Sequence, residues 1–129
     1  MKTFSVATRG KCSFVDITDA VASAIRESGV SEGLAVVFVP HTTAGVTINE
    51  NADPDVRRDI IQHLAAAVPD DGDYAHAEGN SPAHVKASMM GSSVTVIVSN
   101  SRPVLGTWQG IYLCEFDGPR TRSVMIEVK

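Results

Sequence analysis

The chain is organised around residues 41–55, which read His41-Thr-Thr-Ala-Gly-Val-Thr-Ile-Asn-Glu-Asn-Ala-Asp-Pro-Asp55. A second polar stretch of related composition reads His76-Ala-Glu-Gly-Asn-Ser-Pro-Ala-His84. Together the two stretches hold three of the four histidines, with many carboxylates and amides. Histidine is the commonest metal ligand and the side chain whose charge changes nearest neutral pH. Because no other part of the chain concentrates such groups, we predict that the two stretches form one site.

The first stretch also predicts the secondary structure beside the site. Residues 45–49 alternate between apolar and polar, which is typical of a half-buried strand. Asp53-Pro54-Asp55 predicts the start of a helix, because a capping side chain precedes a proline and an acid in the first turn. Pro69 ends this helix. Its buried stripe is predicted to contain Val56, Ile60, Ile61, Leu64 and Val68.

Upstream of this stretch, the sequence predicts two strands, a helix and a third strand. Residues 3–8 and 12–16 are expected to pair with each other across a turn. A helix follows, with Thr18 as its N-cap and Gly29 as its C-cap. Residues 34–39 form a continuous apolar, β-branched run, which predicts a strand buried on both faces.

Downstream, a long irregular segment leads into a short helix and the final strands. Residues 69–82 form a loop that is expected to be functional or mobile. Ser81-Pro82 begins the helix, and Gly91 ends it. Strands are predicted at residues 94–98, 108–116 and 122–128, with the last ones in hairpin order. We therefore expect an α+β fold of about seven strands and three helices, whose mainly antiparallel sheet can fold into a sandwich.

Length and composition exclude several classes of protein. The 129 residues predict one domain, spanning residues 1–129. The net charge of -4, with no basic stripe, gives no reason to expect nucleic-acid binding. The chain has no apolar run of roughly 18 residues and no long apolar core at its N-terminus, so we expect a cytoplasmic protein with no membrane partner. Cys12 and Cys114 are then expected to be free thiols, and the alternative is a disulfide between them, since sequence does not give their separation.

Three of the histidines are candidate metal ligands. His41 follows a predicted strand, His76 lies in a loop and His84 begins a helix, so the three imidazoles can converge. Three protein ligands and one open position are the pattern of a catalytic zinc site. Their spacing is not diagnostic, and the alternative is that these histidines are helix caps or hydrogen-bonded loop residues. His63 falls on the polar face of its helix and is expected to be solvated.

Carboxylates near the histidines are candidate acids and bases. Glu50 directly follows a strand, and Glu78 lies two residues after His76, so both are well placed for proton transfer. Asp53 is expected to act as the helix N-cap, and Asp55 to stabilise the helix dipole.

A phosphate group is a candidate ligand, because small-residue stretches and cations are both present. Gly91-Ser-Ser93 can present backbone amides, and four cations are available as counter-charges: Lys86, Arg102, Arg120 and Arg122. No Walker A or Rossmann fingerprint occurs, so neither a nucleotide nor a flavin is expected.

The strand at residues 108–116 has one aromatic face and one mixed face. Trp108, Tyr112 and Phe116 are expected in the core, with Cys114 as a small core residue. Gln109 and Glu115 share the other face with apolar residues. Because a buried polar group needs a partner, these two are expected at a subunit interface or in a pocket.

Several blocks of the sequence resemble one known family. They are His41-Thr-Thr-Ala44, Thr47-Ile-Asn-Glu-Asn51, His76 with Glu78-Gly-Asn80, His84, Gly91-Ser-Ser93 and Leu105-Gly-Thr-Trp-Gln-Gly-Ile-Tyr-Leu-Cys-Glu-Phe-Asp117. In this order they resemble the YjbQ-type family, also called secondary thiamine-phosphate synthases. The resemblance implies an α+β sandwich, a homotrimer and a site near a subunit boundary around the three histidines. It also implies weak thiamine-phosphate synthase activity, joining a pyrimidine diphosphate to a thiazole phosphate, and for some members a bound metal.

These observations predict an enzyme of the transferase class that acts on a small phosphorylated substrate. The candidate catalytic residues are His41, Glu50, His76, Glu78 and His84. The candidate substrate-binding residues are Asn49, Asn80, Ser92, Gln109 and Glu115. The candidate ligands of a divalent metal, with zinc preferred, are His41, His76 and His84. The alternatives are a small-molecule or metal-binding module without turnover, and an unassigned metal-dependent hydrolase.

Overall fold

The computed structural model describes the whole chain, residues 1–129, as eight strands and three helices. The strands are β1 (Lys2–Ala7), β2 (Ser13–Asp16), β3 (Gly33–Phe38), β4 (Ala44–Glu50), β5 (Ser93–Ser99), β6 (Arg102–Pro103), β7 (Gln109–Glu115) and β8 (Thr121–Val128). The helices are α1 (Thr18–Ser28), α2 (Pro54–Ala67) and α3 (Ser81–Met90). The three predicted helices are confirmed, and the strand that the sequence did not predict is the two-residue β6.

The strands form two antiparallel sheets. The larger sheet has the order β1-β8-β3-β5-β6, and the smaller sheet has the order β2-β7-β4. The main core lies between the inner faces of the two sheets and includes side chains of α1. A second core lies between the outer face of the smaller sheet and helices α2 and α3. The predicted α+β fold with mainly antiparallel sheets is therefore confirmed.

Two predicted strand pairings are wrong. β1 pairs with β8, and β2 pairs with β7, so β1 and β2 lie in different sheets. β7 and β8 are likewise in different sheets and do not form a hairpin. Turn residues indicate where the chain changes direction, but in a sandwich that change often carries the chain across to the other sheet. Local sequence therefore predicted the strands and not their partners.

The expectation that β3 is buried on both faces is also wrong. Its inward side chains, Ala35 and Val37, are fully buried. Its outward side chains Leu34, Val36 and Phe38 are 51%, 40% and 40% exposed. No helix covers the outer face of the larger sheet, because α2 and α3 pack on the smaller sheet. The apolar run therefore gives β3 two apolar faces, and no other part of the chain covers the outward one.

Local details of capping and packing differ in part from the predictions. Asp53 is the N-cap of α2, and its Oδ1 accepts a 2.9 Å hydrogen bond from the backbone N–H of Asp55. Thr18 is the first residue of α1 and not its cap. Tyr112, Phe116 and Cys114 are buried as expected. Trp108 was expected in the core, but it precedes β7 in a loop and is 63% exposed.

Gly45 of β4 allows α3 to approach the smaller sheet closely. A Cβ atom at this position would lie 2.7 Å from the carbonyl oxygen of Gly91 and 3.0 Å from Cβ of Met90. We expect Gly45→Ala to push the end of α3 outward and to lower the free energy of unfolding by about 1–3 kcal/mol. Denaturant unfolding measures this change. The control is Gly106→Ala, whose new Cβ would meet only the flexible Gln109 side chain; an equal effect in both variants would contradict the prediction.

Candidate functional site

Two adjoining cavities lie where β3, β4 and the end of α3 meet, and they share His41, Thr42 and Ser92. Their volumes are about 470 Å³ and about 500 Å³, and both open to solvent. The first is also lined by Ala44, His84, Ala87, Ser88 and Gly91. The second is also lined by Phe38, Val39, Pro40, Thr43, Arg120 and Arg122. We call the two cavities together the histidine cleft.

Backbone hydrogen bonds hold the two walls of the histidine cleft together. The N–H of Val39 donates to the carbonyl oxygen of Ser92 at 2.8 Å. The N–H of Val46 donates to the carbonyl oxygen of Gly91 at 3.1 Å. The segment between β3 and β4, which contains His41, is therefore attached at both ends to the segment that follows α3.

His41 occupies a position that the larger sheet leaves free. The pairing of β3 with β8 ends at Met125, and the backbone N–H of Ser123 lies in β8 two residues beyond that end. That N–H donates to Nε2 of His41 at 2.9 Å. Burial lowers the pKa of His41 below its usual value, and the positive charge of Arg122 lowers it further. His41 is therefore a neutral imidazole at neutral pH.

His84 connects the cleft to the loop that precedes α3. Its ring packs edge-on against the ring of His76, with 5.4 Å between the ring centroids and 78° between the planes. Nε2 of His76 lies 4.0 Å from Oε2 of Glu78. His84 thus lines the same cavity as His41 and contacts His76, whereas His76 itself lines neither cavity of the cleft.

A buried ion pair between Arg122 and Glu115 lies behind the wall of the cleft. Arg122 is 3% exposed and donates from Nη2 to both the hydroxyl and the carbonyl oxygen of Thr43. Nε and Nη2 of Arg122 also donate to the carboxylate of Glu115, which is fully buried. That carboxylate also accepts hydrogen bonds from the Thr8 hydroxyl and from the backbone N–H groups of Phe116 and Asp117. Glu115, a predicted substrate-binding residue, is thus occupied in holding Arg122.

The charged side chains that line the histidine cleft are both cations, and each is paired with a carboxylate that lies outside the wall. Arg120 and Arg122 line it, and no aspartate or glutamate does. Arg120 is half exposed and is oriented by bonds to Asp117, whose carbonyl oxygen accepts from Nε at 2.8 Å. Arg120 and the hydroxyls of Thr42 and Ser92 offer hydrogen-bond donors to a ligand, whereas the Ser88 hydroxyl donates to the carbonyl oxygen of His84 at 3.0 Å.

Three predicted site residues lie far from the cleft within one chain. Glu50 pairs with Gln109 at one end of the smaller sheet, whereas Ala44 pairs with Glu115 at the end beside His41. Six residue steps along a strand span roughly 20 Å. Glu50 accepts a hydrogen bond from the N–H of Ala52, and Gln109 accepts one from the N–H of Gly106. Asn49 lies at the same distant end.

Asn80, another predicted substrate-binding residue, lines a separate small cavity. That cavity has a volume of about 160 Å³ and is also lined by Lys11, Asp70, Glu78 and Asp117. Nδ2 of Asn80 donates to Oδ2 of Asp117 at 3.1 Å. Of the predicted substrate-binding residues, only Ser92 lines the histidine cleft.

The donor atoms do not fit a metal site built from all three histidines. Nε2 of His41 accepts a backbone N–H, so its lone pair is used and the ring proton is on Nδ1. A metal requires a free nitrogen lone pair, and His41 has none to offer. The chain also contains no group of three or more His, Cys, Asp or Glu side chains placed to hold a metal. The divalent metal predicted at these three histidines stays a prediction, and this donor set does not favour it.

Two residues that line the cleft were missed by the sequence reasoning. Ser88 lies four residues after His84 on α3, so the two share a helical face, and this spacing could have identified it. Thr42 follows His41 in the same motif but carried no separate signal. Arg120 was recognised only as one of several available cations.

Comparison with known proteins defines the family of this chain. Residues 2–129 match the family described as UPF0047 protein YjbQ-like. A UPF0047 protein of Methanocaldococcus jannaschii is 50% identical over 125 residues, which cover 97% of this chain and 91% of that protein. The UPF0047 protein YugU of Bacillus subtilis is 48% identical over 129 residues, covering 99% and 98%. The chain belongs to the YjbQ family, which confirms the resemblance inferred from its motifs.

Solved structures of similar proteins share the fold. An uncharacterized conserved protein of the YjbQ/UPF0047 family from Clostridium acetobutylicum is 57% identical, with a TM-score of 0.98 and complete coverage of both chains. A YbjQ-like protein of unknown function from Sulfolobus solfataricus is 32% identical, with a TM-score of 0.94 and coverage of 98% and 94%. None of the helices in the present chain has the length and apolar character needed to cross a membrane.

Proposed function

We propose that the histidine cleft binds a small phosphorylated molecule and that the protein catalyses a thiamine-phosphate-forming transfer. The observation that carries this proposal is the composition of the cleft. Imidazoles, hydroxyls and arginines line it without any carboxylate. Such a surface favours an anion over a cation, because its wall offers hydrogen-bond donors and its two charged side chains are cations, each paired with a carboxylate outside the wall.

The reaction needs stabilisation of a leaving diphosphate more than it needs proton transfer. The thiazole nitrogen uses its lone pair to form a bond to the methylene carbon of the pyrimidine. The bond from that carbon to the diphosphate oxygen breaks, and the diphosphate leaves with the electron pair. Donors aimed at the departing oxygens lower the barrier to this step. In the cleft, Arg120 and the hydroxyls of Thr42 and Ser92 would serve as such donors.

His84 and His76 would act at the open side of the cleft. His84 lines the cavity, and its ring packs edge-on against that of His76. Both rings can donate a hydrogen bond to a second phosphate or to the pyrimidine. Glu78 would orient His76 from its exposed side, where their side chains are 4.0 Å apart.

Product analysis tests the proposed reaction. Purified protein is incubated with the pyrimidine diphosphate and the thiazole phosphate, with and without a chelator, and thiamine phosphate and released diphosphate are measured. We expect the two products in equal amounts. Saturable binding of the diphosphate without product would indicate a binding module. Release of phosphate from the pyrimidine substrate alone would indicate a hydrolase.

We also propose that the protein is a homotrimer whose copies cover the apolar sheet face, defined as Leu34, Val36, Phe38, Ile97 and Val104. All five side chains are at least 40% exposed. Leu34 and Ile97 are paired across β3 and β5, and Val104 donates its N–H to Ile97, so the patch is continuous. Continuous exposed apolar patches mark sites of association.

Ile97→Lys is expected to dissociate this assembly, because it places a charge in the centre of the apolar sheet face. Light scattering after size exclusion should show a mass near three times 13.7 kDa for the natural protein and near 13.7 kDa for the variant. Gln62→Lys, on the exposed side of α2, is the control and should leave the mass unchanged. A monomeric natural protein, or an unaffected Ile97→Lys variant, would disprove the proposed interface.

A further inference from the structure

We propose that His41 binds its ligand as a neutral Nδ1–H donor to an anionic oxygen and does not act as a metal ligand. The proposal rests on the proposed function to the extent that the ligand is an anion in the histidine cleft. The state of the His41 ring follows from its protein contacts alone, so it can be tested without turnover.

The tautomer of His41 follows from the hydrogen bond that the ring accepts. A neutral imidazole has one N–H donor and one acceptor nitrogen. The backbone N–H of Ser123 can only donate, and it reaches Nε2 at 2.9 Å. Nε2 must therefore be the acceptor, and the single ring proton is on Nδ1. Protonation of Nε2 would set two donors against each other and break this contact.

Nδ1 is available to a ligand. It makes no hydrogen bond within the chain, and it is not among the buried polar atoms that lack a partner. The ring lines both cavities of the histidine cleft. A bound anion would therefore receive a hydrogen bond from Nδ1–H, next to the hydroxyls of Thr42 and Ser92 in the same wall.

The surroundings keep the ring neutral and fixed. Burial lowers the pKa of His41 and the charges of Arg122 and Arg120 lower it further, which together outweigh the opposing charge of Glu115. Because Ser123 belongs to β8 and His41 follows β3, the ring is anchored to the larger sheet and not to a mobile loop. An N–H donor held in this way is oriented before the ligand arrives, which lowers the entropy cost of binding.

Nitrogen NMR of the intact protein tests the tautomer directly. Two-bond proton–nitrogen correlations distinguish a protonated ring nitrogen from an unprotonated one, and the His41→Asn variant assigns the signals. We expect Nδ1 of His41 to be protonated and Nε2 to be unprotonated at neutral pH. Addition of inorganic pyrophosphate should shift the Nδ1 resonance, and addition of Zn²⁺ should leave both nitrogens unchanged.

Each other result overturns the proposal. Protonation at Nε2, a Zn²⁺-induced shift of either His41 nitrogen, or the absence of a pyrophosphate-induced shift at Nδ1 would each contradict it. The Nδ1–H tautomer with a pyrophosphate shift but no thiamine phosphate would disprove the proposed reaction and leave the inference intact.

A pair of variants tests the role of the donor. His41→Asn keeps an N–H near the position of Nδ1, and His41→Leu removes it. A hydrogen bond to a charged group predicts a pyrophosphate affinity about tenfold to a hundredfold weaker in the leucine variant and a smaller loss in the asparagine variant. Thermal unfolding shows whether each variant is folded. Equal losses in two folded variants would contradict a donor role.

Discussion

Glu115→Ala is expected to lower the free energy of unfolding by about 3–5 kcal/mol, because it leaves a buried guanidinium without its carboxylate. Glu115 is fully buried and accepts five hydrogen bonds, two of them from Arg122. Removing it also leaves the backbone N–H of Asp117 without its acceptor, whereas the Thr8 hydroxyl and the N–H of Phe116 each keep a carbonyl acceptor. Denaturant unfolding of the natural protein and the variant measures the difference.

An exposed ion pair provides the matched control for this substitution. Glu27 pairs with Lys2 at the surface, where both side chains are more than half exposed. Glu27→Ala should change the free energy of unfolding by less than about 0.5 kcal/mol. Similar losses in the two variants would show that burial of the Glu115–Arg122 pair is not what makes it important.

The same carboxylate predicts how stability depends on pH. Burial alone would raise the pKa of Glu115, but hydrogen bonds from Arg122 and Thr8 outweigh it and hold the pKa below the usual value. The stabilisation is therefore fully present above the unfolded-state pKa of about 4.3 and is lost as the pH falls through the lower pKa of the folded state. Stability measured from pH 7 down to pH 2 should fall less steeply in Glu115→Gln. An unchanged slope would contradict this assignment.

His84→Ala is expected to reduce the rate of thiamine-phosphate formation by about a hundredfold or more. His84 lines the cleft and contacts His76. Its loss therefore removes the His84 donor and also takes away the ring against which His76 packs. The histidine should matter more for the rate constant than for folding, because its ring is only partly buried. Product formation under saturating substrate measures this effect.

His63→Ala is the matched control, since His63 is exposed on α2 and does not line the cleft. It should retain the full rate. If both histidine variants turn over substrate at the natural rate while remaining folded, His84 has no role in the reaction.

Local sequence predicted the helices well because their signals lie within a few residues. Asp53, followed by Pro54, predicted the start of α2, and the structure shows Asp53 as the N-cap. Strand pairing depends on residues far apart in the chain, so the pairing of β1 with β8 could not be read from the turn after β1. The sequence likewise did not predict that one face of β3 is exposed, because an apolar run does not show which of its faces another element covers.

The site illustrates the same limit. The sequence indicated that His41, His76 and His84 belong together, and the structure places His84 beside both others. The state of His41 is set by Ser123, which lies 82 residues away in the chain. Glu115 was expected to need a hydrogen-bonding partner, and the sequence reasoning placed that partner in a pocket or across a subunit interface. The structure provides an internal one, Arg122.

Amide chemical shifts during a pyrophosphate titration test most directly whether the histidine cleft binds an anion. We predict saturable shifts that are largest for Thr42, Ser88 and Ser92, together with the N–H of Ser123 that contacts His41. Shifts that are largest around Glu50 and Gln109 at the opposite end of the smaller sheet, or no saturable shift at all, would contradict the account.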